Sequence, residues 1–133
     1  MPNKAFYLLS TWLLCAHMAD AATTDIVLQQ QLDALIHDAH ADLPYQEGEM
    51  VWQVFYRDGK SVVMVYQDVS ASSTRTDFDA AQLRQDMAPA LCEQEDNRHY
   101  LQAGYVFVTQ IQFKHSAPLR LSHSLADCVG ITH

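Results

Sequence analysis

Two runs rich in β-branched and aromatic residues flank Arg57-Asp58-Gly59-Lys60: Met50 to Tyr56 on one side and Ser61 to Gln67 on the other. Asp-Gly between such runs is the strongest short-range signal of a β-hairpin, because both central residues of its tight turn need positive φ. A two-residue turn sets the register, with Arg57 opposite Lys60, Phe55 opposite Val62 and Trp52 opposite Val65. One face then carries Trp52, Val54, Tyr56, Val63 and Val65 and reads as core. The other carries Val51, Gln53, Phe55, Arg57, Lys60, Val62, Met64 and Tyr66, and is more apolar than a solvated face should be.

The hairpin sits between helical patterns. Upstream, Leu28, Leu32, Leu35, Ile36, Ala39 and Leu43 recur at helical spacing, with Thr24 or Asp25 as the N-terminal cap and Pro44 as the stop. Tyr45 to Glu49 reads as a turn. Downstream, Ser70 to Thr76 reads as a mobile polar loop. Asp77 caps a helix to about Ala88, where Pro89 interrupts. A second helix runs from Asn97 to Ala103, with Gly104 as its left-handed C-terminal cap. Tyr105 to Lys114 alternates, with Tyr105, Phe107, Ile111 and Phe113 on one face. Leu119 to Leu125 alternates again after a turn at His115-Ser116-Ala117-Pro118. The order α-β-β-α-α-β-β predicts one α+β domain over residues 22–133: a four-stranded antiparallel sheet of two hairpins, with helices packed mainly on one face.

The first 21 residues carry a different message. Lys4 precedes an apolar run from Ala5 to Ala16, and Ala19-Asp20-Ala21 gives the small-residue pattern of a signal-peptide cleavage site. A dozen apolar residues fall short of the roughly 20 needed to span a bilayer. The expectation is cleavage after Ala21 and export to the periplasm, with no membrane insertion of the remainder. Cys15 opens a lipidation alternative, although Leu14 before it is not the small residue a lipoprotein signal wants. Cleavage at Ala21 leaves Cys92 and Cys128 as an even pair in an oxidising compartment, where they are expected to form a disulfide.

Eight Lys/Arg stand against sixteen Asp/Glu, a net charge of -8. Cleavage removes Lys4 and Asp20, one of each sign, and leaves that balance unchanged. Such acidity argues against nucleic acid, whose phosphates select basic patches, and against an anionic membrane surface. It suits a basic protein partner, or solubility alone.

Motifs for catalysis are missing: there is no G-x-S-x-G, no H-E-x-x-H and no glycine-rich phosphate loop. Asp33, His37 and His40 share one helical face at metal-ligating spacing, but no fourth ligand accompanies them, and a solvated polar face accounts for them equally. His115 and His123 flank a turn in adjacent strands. Glu47 and Glu49 are a carboxylate pair without a sugar cleft around them. The chain is therefore expected to bind rather than catalyse, with no cofactor. Phe55 and Tyr66 are anchor types that interfaces favour. With Arg57 beside them and Asp42, Glu47 and Glu49 as acidic steering groups, they form the candidate partner-binding set. The partner is another protein, a basic toxin or effector, or a second copy in a homodimer. The aromatics read equally well as core.

The export signal, the acidic α+β domain, Leu91-Cys92, Arg98, Gly104-Tyr105 and Asp127-Cys128 resemble those of small periplasmic proteins of Gram-negative bacteria. Among these the chain is similar to immunity proteins that neutralise type VI secretion effectors, and it also resembles the pilotins of type II secretion. The first resemblance implies an inhibitor of an envelope-targeting toxin such as a cell-wall hydrolase. The second implies an accessory protein of envelope secretion or assembly, of a kind typically lipidated.

Overall fold

The computed structural model describes residues 25–130. The predicted export signal over residues 1–21, with Cys15 in it, lies outside the described residues, as does Thr24. The chain divides into two compact units, Met1–Ala34 and Leu35–His133. Described residues 25–34 of the first are helical, and Leu32 is buried. The helix (α1, residues 25–39) buries Ile36 one turn further on but leaves Leu35 exposed, so the apolar stripe is narrower than its spacing suggested.

The second unit is α+β, as predicted, but its sheet differs from the expected four antiparallel strands. It has five, in the order β1 (Tyr45–Glu47), β2 (Met50–Asp58), β3 (Ser61–Asp68), β4 (Val106–Gln112) and β5 (Leu119–His123). Between β3 and β4 the chain makes a crossover through α2 (Ala80–Glu93) and α3 (Glu95–Gln102). A crossover returns the chain to the starting end of the sheet, so β4 runs parallel to β3 and the sheet is mixed. The added strand, β1, lies where a turn was expected. It is three residues long and wholly exposed, and a two-residue turn at Gly48-Glu49 joins it to β2. Gly48 takes φ +60 at the first position of that turn, a conformation open to glycine without a side-chain clash.

The Asp58-Gly59 hairpin forms, but one step displaced. Asp58 pairs with Ser61, Arg57 with Val62 and Phe55 with Met64. The central residues are thus Gly59 and Lys60. Of these only Gly59 has positive φ, at +57, as a turn with glycine in its first central position requires. A register shift between Trp52 and Val54 then pairs Trp52 with Tyr66 rather than Val65. The extra residue of this bulge, Gln53, moves Trp52 to the face of Phe55 and Tyr66.

Both faces of the central strands are buried. Val63, Val65 and Val108 cluster on one, with Val106 against them. The other carries Ile111, Leu119 and Leu121, packed by Leu83 and Met87 of α2 and by Phe78 and Phe113. Neither face of β3 is the half-solvated surface a free hairpin would show, because the crossover makes β3 an interior strand.

The segment 70–76, expected to be mobile, is tied down by one side chain. Ser73 is fully buried, donates from Oγ to Asp68 O at 2.7 Å and accepts from Lys114 N at 2.9 Å. Its carbonyl accepts from His115 N at 3.1 Å. This fastens the loop to the end of β4 and fixes where Phe78 enters the core. Asp79, not Asp77, caps α2, accepting from Gln82 N at 3.1 Å. The helix continues through Pro89 to Glu93. Gly104, at φ +92, ends α3 as expected, and Lys60 Nζ donates to the Ala103 carbonyl beside it.

Cys92 and Cys128 are joined, with Cα atoms 5.6 Å apart. The bond ties α2 to the 3-10 turn Leu125–Cys128 after β5. Two further links run in parallel: Arg84 pairs with Asp127 at 2.9 Å, and buried His123 donates from Nε2 to Arg84 O at 2.9 Å. Three fasteners within nine residues of α2 hold that helix against the sheet.

Candidate functional site: an apolar groove between α2 and the sheet

On one flank of α2 the packing against the sheet is incomplete. The gap is a groove of about 220 Å³, lined by Met50, Tyr66, Phe78, Leu83, Met87, Thr109 and Ile111. Its construction follows from local periodicity. Leu83 and Met87 are four residues apart and share a helix face. Met50, Tyr66, Thr109 and Ile111 project from β2, β3 and β4 on one face of the sheet, with Tyr66 and Ile111 in register. Phe78 closes one side, its ring 5.6 Å from that of Phe113. Trp52 stacks behind Tyr66 at 6.2 Å.

The lining is apolar with two exceptions. Thr109 is buried, and its Oγ1 has no hydrogen-bond partner among the described residues. The Tyr66 hydroxyl meets only the Met64 thioether, at 3.9 Å, and sulfur is a weak acceptor. Burial pushes the Tyr66 hydroxyl above its ordinary pKa, and the Glu47 carboxylate nearby adds to the rise. Glu47 therefore stands within electrostatic reach of the groove while remaining exposed.

Of the predicted partner-binding residues, the structure brings two together here, Tyr66 in the lining and Glu47 at its edge. Phe55 is corrected: it is 6% exposed, its ring 5.2 Å from that of Trp52, and belongs to the core. The bulge at Gln53 turned Trp52 onto its side of the sheet and covered it. Arg57 is half-buried and donates to Gly59 O at 2.8 Å, within its own hairpin. Asp42 and Glu49 are exposed in turns, and neither lines the groove. His40 donates from Nε2 to Phe55 O at 2.8 Å. Among the described residues no three His, Cys, Asp or Glu side chains converge as a metal site. His115 and His123 lie at opposite ends of β5, the first exposed and the second buried.

Phe78, Leu83, Met87 and Ile111 were legible as residues to bury, but nothing in their spacing shows that they leave a gap. Thr109 offered a signal: it is the lone polar residue on the inward face of an otherwise apolar alternating strand.

The Asp127 carboxyl, at the end of the clamp on α2, is held below its ordinary pKa of 3.8. The hydrogen bond from the Ser124 backbone is the largest cause, and Arg84 adds to it. Since folding lowers this pKa, the ionised carboxylate stabilises the fold above the unfolded value, and that contribution disappears as pH falls through the folded one. Denaturation midpoints should therefore decline between about pH 5 and pH 2, and Asp127→Asn should flatten that part of the profile. An unchanged slope in the variant would assign the acid sensitivity elsewhere.

No family model matches the chain, and no curated protein does. Solved structures do. The pilotin EpsS of the Vibrio vulnificus type 2 secretion system aligns with TM-score 0.59 and 15% identity, over 80% of this chain and 96% of that one. The type II secretion pilotin AspS of Vibrio cholerae aligns with TM-score 0.56 and 15% identity, over 84% and 98%. This is a fold that type II secretion pilotins share. A candidate secreted protein of Pseudomonas aeruginosa has it too, with TM-score 0.65 and 14% identity over 79% and 96%. At such identities the likeness is one of fold. It supports the pilotin resemblance of the sequence, whereas the resemblance to immunity proteins gains nothing from these neighbours. No described helix is long and apolar enough to cross a membrane.

Proposed function

We propose that the chain is a pilotin-like accessory protein of envelope secretion or assembly, acting by binding a protein segment and not by catalysis. The observation that carries this reading is the fold shared with two type II secretion pilotins across about four-fifths of the chain. The groove between α2 and the sheet supplies a surface on which a partner segment can rest. Export by residues 1–21 would deliver the protein to the periplasm, the compartment in which Cys92 and Cys128 can stay paired.

Deleting the gene tests the reading. Substrates of the secretion machinery should accumulate inside the cell, and re-expression of the chain should restore their release. Secretion that continues undiminished in the deletion strain would exclude it. N-terminal sequencing of the mature protein separates two forms of the proposal, with Ala22 first for a soluble protein and a modified Cys15 first for an anchored one. No observation favours toxin neutralisation or a homodimer, the other readings open to the sequence.

A further inference from the structure

The groove is unusual in what it leaves unsatisfied. A threonine hydroxyl buried without a partner loses its hydrogen bonds to water and gains none in exchange. Valine would fill the same space without that penalty. A hydroxyl kept in the lining of an open groove is accounted for if whatever occupies the groove bonds to it. The size of the groove narrows the occupant: 220 Å³ is below the roughly 300–1,000 Å³ of small-molecule pockets. It accommodates one or two large side chains presented by a longer segment that lies outside.

Charge supplies the rest. Glu47 raises the Tyr66 pKa from the strand side. On the helix side, Asp79 and Asp86 are four residues before Leu83 and three after it, so helical spacing puts both on the flank beside that residue. Both are exposed. Asp86 accepts a hydrogen bond from Gln82, and Asp79 caps α2, yet each keeps its negative charge. The basic residues Arg75 and Lys114 border the opposite side, near Phe78 and Phe113. An acidic flank beside an apolar slot is complementary to a segment that alternates large apolar and basic residues.

We propose that this groove receives a basic, amphipathic segment of a partner protein. One or two of its apolar side chains fill the slot, a polar group of the segment bonds Thr109 Oγ1, and its Lys or Arg residues meet Glu47, Asp79 and Asp86. The proposal rests on the binding function proposed above and specifies its chemistry.

Fluorescence anisotropy with the purified chain, residues 22–133, and three labelled peptides of equal length provides the test. The first peptide alternates leucine with lysine, the second leucine with glutamate and the third serine with lysine. The Leu–Lys peptide should bind at least tenfold more tightly than either of the others. Charge removal by E47Q, D79N and D86N together should weaken it about tenfold. Met87→Trp should abolish binding by filling the groove, and Met50→Trp does the same from the opposite wall if the first variant disturbs α2. Thr109→Val is the decisive variant. It should raise the thermal midpoint of the free protein and yet weaken Leu–Lys binding severalfold.

Equal binding of all three peptides, or indifference to the tryptophan variants, would overturn the groove as the site. Unchanged or tighter binding by Thr109→Val would overturn the role of the hydroxyl. These outcomes are separable from the secretion experiment. A deletion that blocks secretion while the peptides fail to bind defeats only the chemistry of the groove, and peptide binding without a secretion defect defeats only the cellular role.

Discussion

Replacing both cysteines, Cys92→Ser with Cys128→Ser, should lower the unfolding free energy by about 4 kcal/mol. The bond closes a loop of 36 residues, and chain entropy alone assigns a cross-link of that span about 4 kcal/mol through restriction of the unfolded state. For a small domain with a total stability of roughly 5–15 kcal/mol, the loss takes a third or more of the margin. Urea denaturation of the oxidised protein against the double variant measures it. The loss should not be uniform along the chain. Cys92 belongs to the same helix as Leu83 and Met87, and the bond is one of the fasteners holding α2 to the turn after β5. Hydrogen exchange in α2 should rise more than in β3 or β4. A loss below about 1 kcal/mol would mean that the Arg84–Asp127 pair and the core already hold α2 in the absence of the bond.

The parts of this fold legible from the sequence are those governed by neighbouring residues. Asp58-Gly59 announced its hairpin, Gly104 its helix end, and the cysteine pair its bond, because each depends on a backbone requirement or on a count. The parts that were not legible depend on residues far apart. The pairing of β3 with β4 is parallel because two helices intervene, and alternation within each strand is the same for either direction. Strand β1 escaped because three exposed residues beside a proline carry no periodicity. The bulge at Gln53 reverses the facing of Trp52 through a single extra residue, which the pattern of a mixed apolar run cannot reveal. Phe55 consequently changed from candidate anchor to core. The groove was the least visible element. Its lining comes from β2, β3 and β4, from α2 and from the loop before it, and a gap between packed elements has no signature in any of them. Among its lining residues Tyr66 was anticipated as a contact, and Thr109 stood out as the polar residue in an apolar row.

The neighbouring pair Thr109 and Leu121 provides the sharpest separation of stability from recognition. They are directly paired across β4 and β5, and both are buried, at 2% and 6% exposure. Leu121→Ala removes atoms from the cluster with Ile111 and Leu119 beneath α2 and leaves a cavity that a sheet gripped on both sides cannot readily collapse. The expected cost is about 2–5 kcal/mol, read from urea midpoints. Thr109→Val, its register partner, should shift the midpoint in the other direction, because it exchanges an unsatisfied hydroxyl for a methyl group of similar shape. Leu121 does not line the groove, so at a temperature where Leu121→Ala is still folded its peptide affinity should stay close to that of the unaltered chain. Thr109→Val should be the more stable protein and the poorer binder. If both variants instead lose affinity in proportion to lost stability, the groove has no recognition chemistry of its own and is only as well formed as the core beneath it. Opposite signs at two paired residues are the pattern that a core fault cannot produce, because destabilisation would move stability and affinity together.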